Sequence, residues 1–293
     1  QAAFETAGFS NAIVARDAPT PEEDPEWSAQ DVRYSVVRWA ANTTRNAQGP
    51  SVSDPRTGEI IESDIVWYHN HMRSYRNRLM IETGAANPLA RSLDIPEDLM
   101  GETMRQVIAH EVGHALGLPH NWIASAAFPV DSLRSSSFTD RYGVAPSIME
   151  YARQNYVAQP GDGVRRFVRM IGPYDHYAIN WGYRVIPDAA TPEDEKPILD
   201  AWILERADDP MYRFGPVSGP ILSPEIQTED LGDDPVAASG FGIANLKRVL
   251  PNLPEWTATE GESWGDLAEI YGELVGMWGR YVGHVRTVVG GVY

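Results

Sequence analysis

His110, Glu111, His114 and His120 stand in the run VIAHEVGHALGLPH at 107–120, so three of the chain's seven histidines fall within this short span. On a helix, His110 and His114 are one turn apart and share a face, which lets two imidazoles converge on one ion. Glu111 lies about 100° further round the helix. It is near such an ion without being bound to it, and suits a general base that takes a proton from an attacking water. His120 could not reach the same point if the helix ran on. Gly117 offers the left-handed backbone that ends a helix, and Pro119 bars its resumption. The chain can then double back and present His120 as a third ligand. Three histidines with an open fourth position make the tetrahedral arrangement of a catalytic zinc site, and the all-nitrogen set also accepts cobalt, nickel or copper.

These residues need a helix under them, and the sequence predicts one. Pro96 suits a first turn, Glu97 and Asp98 follow it, and Met104, Val107 and Ile108 lead into the histidines. Upstream, a short helix ending near Gly8, strands over 11–16 and 32–42, and a hairpin over 49–70 are expected. The hairpin turns at 54–58 and returns as one strand from Ile60 to Trp67. Gly49, Pro50, Ser51 and Val52 are placed at a sheet edge beside the cleft, where a peptide substrate could lie extended. Residues 72–82 read as helix, 121–160 as mostly irregular, 172–183 as a short helix and the acidic, proline-rich 187–197 as a surface loop. ASGFGIANLKRVL reads as a helix stopped by Pro251. A last helix over 262–289 carries a core stripe of Trp264, Leu267, Tyr271, Leu274, Trp278, Tyr281, Val285 and Val288. Gly272, Gly276, Gly279 and Gly283 are expected to admit another element closely.

Composition narrows the function classes. With 41 acids against 24 bases the formal charge is −17, which repels nucleic acid and anionic lipid. There is no cysteine, so disulfides, zinc–thiolate sites and cysteine nucleophiles are out. No apolar run approaches the roughly 18 residues of a membrane span. The predicted class is α+β: a mixed twisted sheet with the active-site helix in a catalytic core over 1–160, and a mainly helical subdomain over 161–293 completing the cleft. QAAFETAGFSNAI at the start reads as a chain beginning inside an element, with a further domain of the same precursor upstream.

HEVGHALGLPH together with SIMEY at 147–151 resembles the metzincin clan of zinc endopeptidases, which join the long HExxHxxGxxH motif to a methionine turn. The resemblance implies that His110, His114 and His120 hold one zinc, that Glu111 is the base, and that Met149 forms an apolar floor under the metal. In astacin-like and serralysin-like members a tyrosine two residues beyond that methionine reaches the zinc, a role the resemblance gives to Tyr151. The early helix, strands, hairpin and active-site helix also follow the metzincin order, with the clan's first strand falling upstream of residue 1. AAFETAGFSNAI, GPSVSDPRTGEI, SIMEYARQNYVAQPGDG and IGPYDHYAINWGY are similar to a family of large secreted bacterial metalloproteases with a Met-zincin domain. That similarity implies a protein or peptide substrate and a secreted, periplasmic or cell-surface location. Asn121, after the third histidine, departs from the residue better-known metzincins carry there.

Other candidates remain open. His69 and His71 would share a face on a strand and could bind a second metal, although no acid completes the set. His176 and His284 sit in apolar helical surroundings and read as core or surface residues. Asp230, Asp233 and Asp234, in EDLGDDP, could hold Ca2+ through their carboxylates or merely cap a helix. Besides a zinc endopeptidase, the motif allows hydrolysis of a non-peptide amide. It also allows a peptide- or glycoprotein-binding module that keeps the zinc site with little turnover; the intact Glu111 argues against that last reading.

Overall fold

A computed structural model describes residues 1–216 and 223–291. The first helix, α1 (Ala2–Thr6), buries Ala3 and Phe4 against Ile179 and ends ahead of Gly8, as expected. Residues 11–16 form no strand. Ile13 instead packs on the Phe4 cluster, so the apolar side of this stretch is used without a ladder.

Five short strands follow: β1 (Val37–Ala40), β2 (Ala47–Gln48), β3 (Ser51–Ser53), β4 (Ile60–Ser63) and β5 (Ile65–Tyr68). They make a mixed sheet of order β1-β5-β2, parallel between β1 and β5 and antiparallel between β5 and β2, beside a separate β3-β4 hairpin. The hairpin turns at 54–58, where Gly58 takes a φ of 76°. The expected single return strand is two strands. Asp64 breaks it by accepting from the Val36 N–H at 3.2 Å and pairing with Arg38, which hands β5 to the other sheet.

Next come α2 (His71–Arg78), continued by a wider turn over Leu79–Thr83, and α3 (Glu97–Ala115), which starts behind Pro96. Val107 on α3 packs with Ala47, Trp67 and Tyr75, so the sheet and α2 brace the helix that carries the motif. Residues 121–160 are mostly irregular apart from α4 (Ser136–Tyr142) and two 3-10 turns. The rest is mainly helical: α5 (Pro173–Tyr183), α6 (Pro192–Leu204), α7 (Pro235–Val249), α8 (Leu253–Trp256) and α9 (Gly265–Thr287). None of the described helices is long and apolar enough to cross a membrane.

Three sequence expectations fail in the helical half. The acidic segment 187–197 is no loop beyond Thr191. Thr191 and Asp194 form a capping box, Pro192 takes the first turn, and acids fill it, all of which start a helix. On α9 the buried line is Ile270, Leu274, Met277, Tyr281 and His284, while Trp264, Tyr271 and Trp278 are exposed. The helix has apolar residues on two faces, and the pattern alone cannot choose between them. Nor do its glycines admit a neighbour: a Cβ at Gly272, Gly276, Gly279 or Gly283 would meet nothing within 4 Å. The close approach is made by Gly242 of α7, where a Cβ would come within 2.7 Å of the Tyr281 ring.

Replacing Tyr281 by Ala should therefore cost about 3–5 kcal/mol in urea unfolding, as for other large aromatic truncations in a packed core. Trp278→Ala should stay within about 0.5 kcal/mol of the parent. Equal losses would contradict this placement of α9.

The same core seals in Glu82, Glu150 and Asp230. Burial pushes Glu82 and Asp230 up to about 7, and Glu150 well above its ordinary range. A raised carboxyl keeps its proton in the fold after the unfolded chain has lost it, so stability should fall as pH rises from about 4 through 7. The lowered histidines His71, His110 and His120 act in the opposite sense, so the test is differential: the gap between the urea midpoints at about pH 5.5 and about pH 8 should shift in Asp230→Asn in favour of the higher pH. A gap of the same width in that variant would contradict the assignment.

Candidate metal centre

The site is built at the end of α3. Gly117 has a φ of 84°, and the N–H groups of Gly117 and Leu118 bond back to the carbonyls of His114 at 2.9 Å and Gly113 at 2.9 Å. This is a Schellman close, which stops the helix and turns the chain back. The turn delivers His120 to His110 and His114, and one ligand nitrogen from each ring lies within 4.8 Å of the others. Among the described residues this is the one group of three or more histidine or acidic side chains that converges so.

The residues fit a metal. His110 Nδ1 donates to the Ile148 carbonyl at 2.7 Å and His114 Nδ1 to the Leu118 carbonyl at 2.9 Å, which leaves Nε2 of each ring as the inward lone pair. The His114 Nε2 lone pair then faces His120 Nε2 at 3.1 Å, a spacing bridged either by an N–H of His120 or by a cation shared between the two rings. Burial holds the His110 imidazolium well below its ordinary pKa, helped by Arg169. Burial and the neighbouring His114 lower His120 to about 4. Both rings are thereby kept neutral, the form that binds metal.

Glu111 shares the cavity. Burial pushes its carboxyl up to about 7, opposed by Arg169 and by the nearby Gly49 N–H. Gly49 itself is required there, because a Cβ would meet the Glu111 carbonyl oxygen at 2.4 Å. The segment that follows the edge strand β2 thus lies directly on α3.

A second closure comes from α5. Asp175 accepts from Ser147 Oγ at 2.7 Å and from the N–H groups of Ile148 and Gly172, both at 2.8 Å. Burial raises this carboxyl to about 6 and the three donors pull the other way. Asp175 pins the turn holding Ile148, whose carbonyl orients His110, and Met149, which is fully buried. Met149 lies under α3 because Gly113 has no side chain: a Cβ there would sit 2.2 Å from the Met149 sulfur. Asn121 ties the third ligand's neighbour to the same turn, its N–H reaching the Met149 carbonyl at 3.2 Å and its side chain bonding Arg213 and Gly215. The residue that departs from the metzincin pattern at this position is therefore a buried clamp.

The family model that matches residues 92–293 is described as Met-zincin. The chain belongs to that family. The match spans all four motif residues and Met149. Neither the curated proteins nor the solved structures contain a match to the chain.

Around the Met-zincin centre, Tyr151 places its ring 4.5 Å from that of His120 and 5.4 Å from that of His110, with the Arg153 guanidinium 4.4 Å over its face. Gly49 and Pro50 line a cavity of about 330 Å³ with His110, Glu111 and His114. Ser51 and Val52 do not line it; they pair with Ser63 and Glu62 in the hairpin, and the sheet edge at the centre is β2. A larger apolar hollow of about 1410 Å³, between Phe4, Leu116, Trp181 and Phe214, contains none of the four motif residues.

The calcium trio does not converge. Asp234 caps α7 through Val236 and Ala237, Asp233 accepts from the Val130 N–H at 3.0 Å, and Asp230 turns into the core towards Ser125. His69 packs on Trp39 and His71 between Trp67 and Tyr75, with no second metal group among the described residues. His176 bonds Thr6 and His284 the Thr228 carbonyl.

Gly113→Ala should displace Met149, lower stability by about 1–3 kcal/mol and weaken zinc binding. Gly101→Ala on the same helix, where a Cβ meets only Arg105 at 3.7 Å, should be neutral or mildly stabilising. Melting curves and a zinc titration of both variants check this, and an unperturbed Gly113→Ala would contradict the packing.

Proposed function

We infer that this Met-zincin is a zinc-dependent endopeptidase. The observation that carries the reading is the convergence of three histidine nitrogens, two of whose rings, His110 and His114, line one cavity with Glu111 beside the sheet edge β2. Zinc bound by His110, His114 and His120 would supply Lewis acidity towards water and the scissile carbonyl. Glu111 takes the proton of the attacking water and passes it to the leaving amine. An extended peptide adds to the outer edge of β2 as a further strand, held by main-chain hydrogen bonds that tolerate varied side chains. The Tyr151 hydroxyl donates a hydrogen bond to the oxyanion that develops on the attacked carbonyl. Catalysis draws on both sides of the cleft, the core over 1–160 and the helical part over 161–293. A secreted, bacterial setting for the enzyme rests on the similarity of SIMEYARQNYVAQPGDG and its companion stretches alone.

Glu111→Gln should keep its zinc and lose peptidase turnover by a factor of about a hundred or more, because the base is gone while the ligands stay. Tyr151→Phe removes one hydroxyl and should lower turnover roughly ten- to a thousandfold at unchanged zinc content. Turnover and elemental analysis of the parent and both variants check the reading. Parental turnover in Glu111→Gln, or no cleavage of an unbiased peptide mixture by the zinc-loaded parent, would overturn it.

A further inference from the structure

The cavity beside the histidines has a wall of the wrong sign for so acidic a chain. Glu111 is its sole carboxylate, while Arg153 and Arg169 both border it, with the Tyr75 hydroxyl and the His71 ring alongside. Arg169 is buried, and its hydrogen-bond acceptors are neutral: the Ile148 carbonyl at 2.9 Å and Gln106 Oε1 at 3.4 Å. Arg153 donates through Nε to Glu229 at 2.6 Å and through Nη1 to the Tyr75 hydroxyl at 3.1 Å. Among the described residues its Nη2 has no partner. Nor does Glu229 neutralise Arg153 alone, because the same carboxylate also pairs with Arg78 at 3.0 Å and Arg280 at 2.8 Å. Glu229 holds this position with a φ of 62°, a backbone conformation a non-glycine residue rarely adopts.

A guanidinium fixed at its base by a carboxylate and a phenol, with one terminal nitrogen uncommitted at a cavity, is preorganised for an anion. A carboxylate fits by charge and by size. The Tyr75 hydroxyl, which accepts from Arg153, still has its own proton to give to the same ligand. His71 lines the cavity with its ring Nδ1 unpartnered, and burial keeps that ring neutral, so it adds a polar surface without a competing charge.

We propose that this cavity is an acid-recognition pocket, in which Arg153 and the Tyr75 hydroxyl bind a carboxylate of the peptide next to the bond to be cut. The inference rests on the peptidase reading for its substrate. The carboxylate is an Asp or Glu side chain, or the free C-terminus of a short peptide. Arg153 is a specificity residue and takes no part in the proton transfers.

The test is binding to zinc-loaded Glu111→Gln protein, so that it reads without turnover. Fluorescent peptides carrying Asp at successive positions are compared with Asn twins, and peptides ending in a free carboxylate with amidated twins. One member of a pair should bind roughly ten- to a hundredfold tighter, the pair that does so naming the source of the carboxylate. Adding Arg153→Gln should bring that ratio near one, and Arg153→Lys should keep part of it. If Arg153→Gln does not fold, Tyr75→Phe should still reduce the ratio. Ratios within about twofold for every pair in the starting protein would overturn the pocket, whatever the variants do. No cleavage of any of these peptides by the zinc-loaded parent, with the ratio preserved in Glu111→Gln, would instead count against the peptidase reading alone.

Discussion

Nε2 of His114 and Nε2 of His120 face each other 3.1 Å apart, with the His110 ring closing the group. A His114 lone pair held that close to a second ring is satisfied either by a proton on His120 or by a cation that both rings share. Much of the surrounding structure is the means of holding them there. The helix must stop after Ala115, so Gly117 takes a left-handed backbone that a residue with a Cβ adopts at a cost. The outer nitrogens of His110 and His114 must be committed, so two carbonyls, Ile148 and Leu118, are brought to them. Ile148 in turn is fixed by Asp175 from α5, which makes a helix distant in sequence part of the centre.

Charge is arranged with similar economy. Arg169 is a buried cation with its Nη1 3.4 Å from His110 Nδ1, the ring nitrogen that faces the Ile148 carbonyl. It opposes protonation of the ring and counters the rise that burial imposes on Glu111. The carboxylates that could quench it are placed elsewhere: Glu229 serves three other arginines, and Glu150 and Asp230 are sealed behind Ser125. The cavity beside the histidines thus keeps a positive wall inside a strongly negative protein.

How much of this was legible depends on range. The ligands, Glu111, the stop at Gly117 and the turn at Met149 lie close together in sequence, and their spacings carry the geometry. The helix start at Thr191 was equally local and was overlooked beneath a run of acids, although the capping pair Thr191 and Asp194 stood in plain view. Gly113 also left a trace, since a glycine inside a helix is costly and needs a reason; the reason, the Met149 sulfur, comes from another segment. Arg169 and Asp175 had no such trace. Arg169 bonds Gln106 and Ile148, both distant in sequence, and looks no different there from Arg165 and Arg166. Asp175 has a local donor in Gly172, but its bonds to Ser147 and Ile148 come from far along the chain. The buried face of α9 was out of reach for a different reason: the choice between Met277 and Trp278 is made by Gly242 and Tyr156 packing on Tyr281, and nothing within the helix decides it.

The sharpest measurement is X-ray absorption at the zinc edge on protein reconstituted with one equivalent of zinc. Three imidazole nitrogens at about 2.0–2.1 Å with one further light ligand are expected. Fewer than three imidazoles, or no stable zinc at that stoichiometry, would contradict a centre built by His110, His114 and His120.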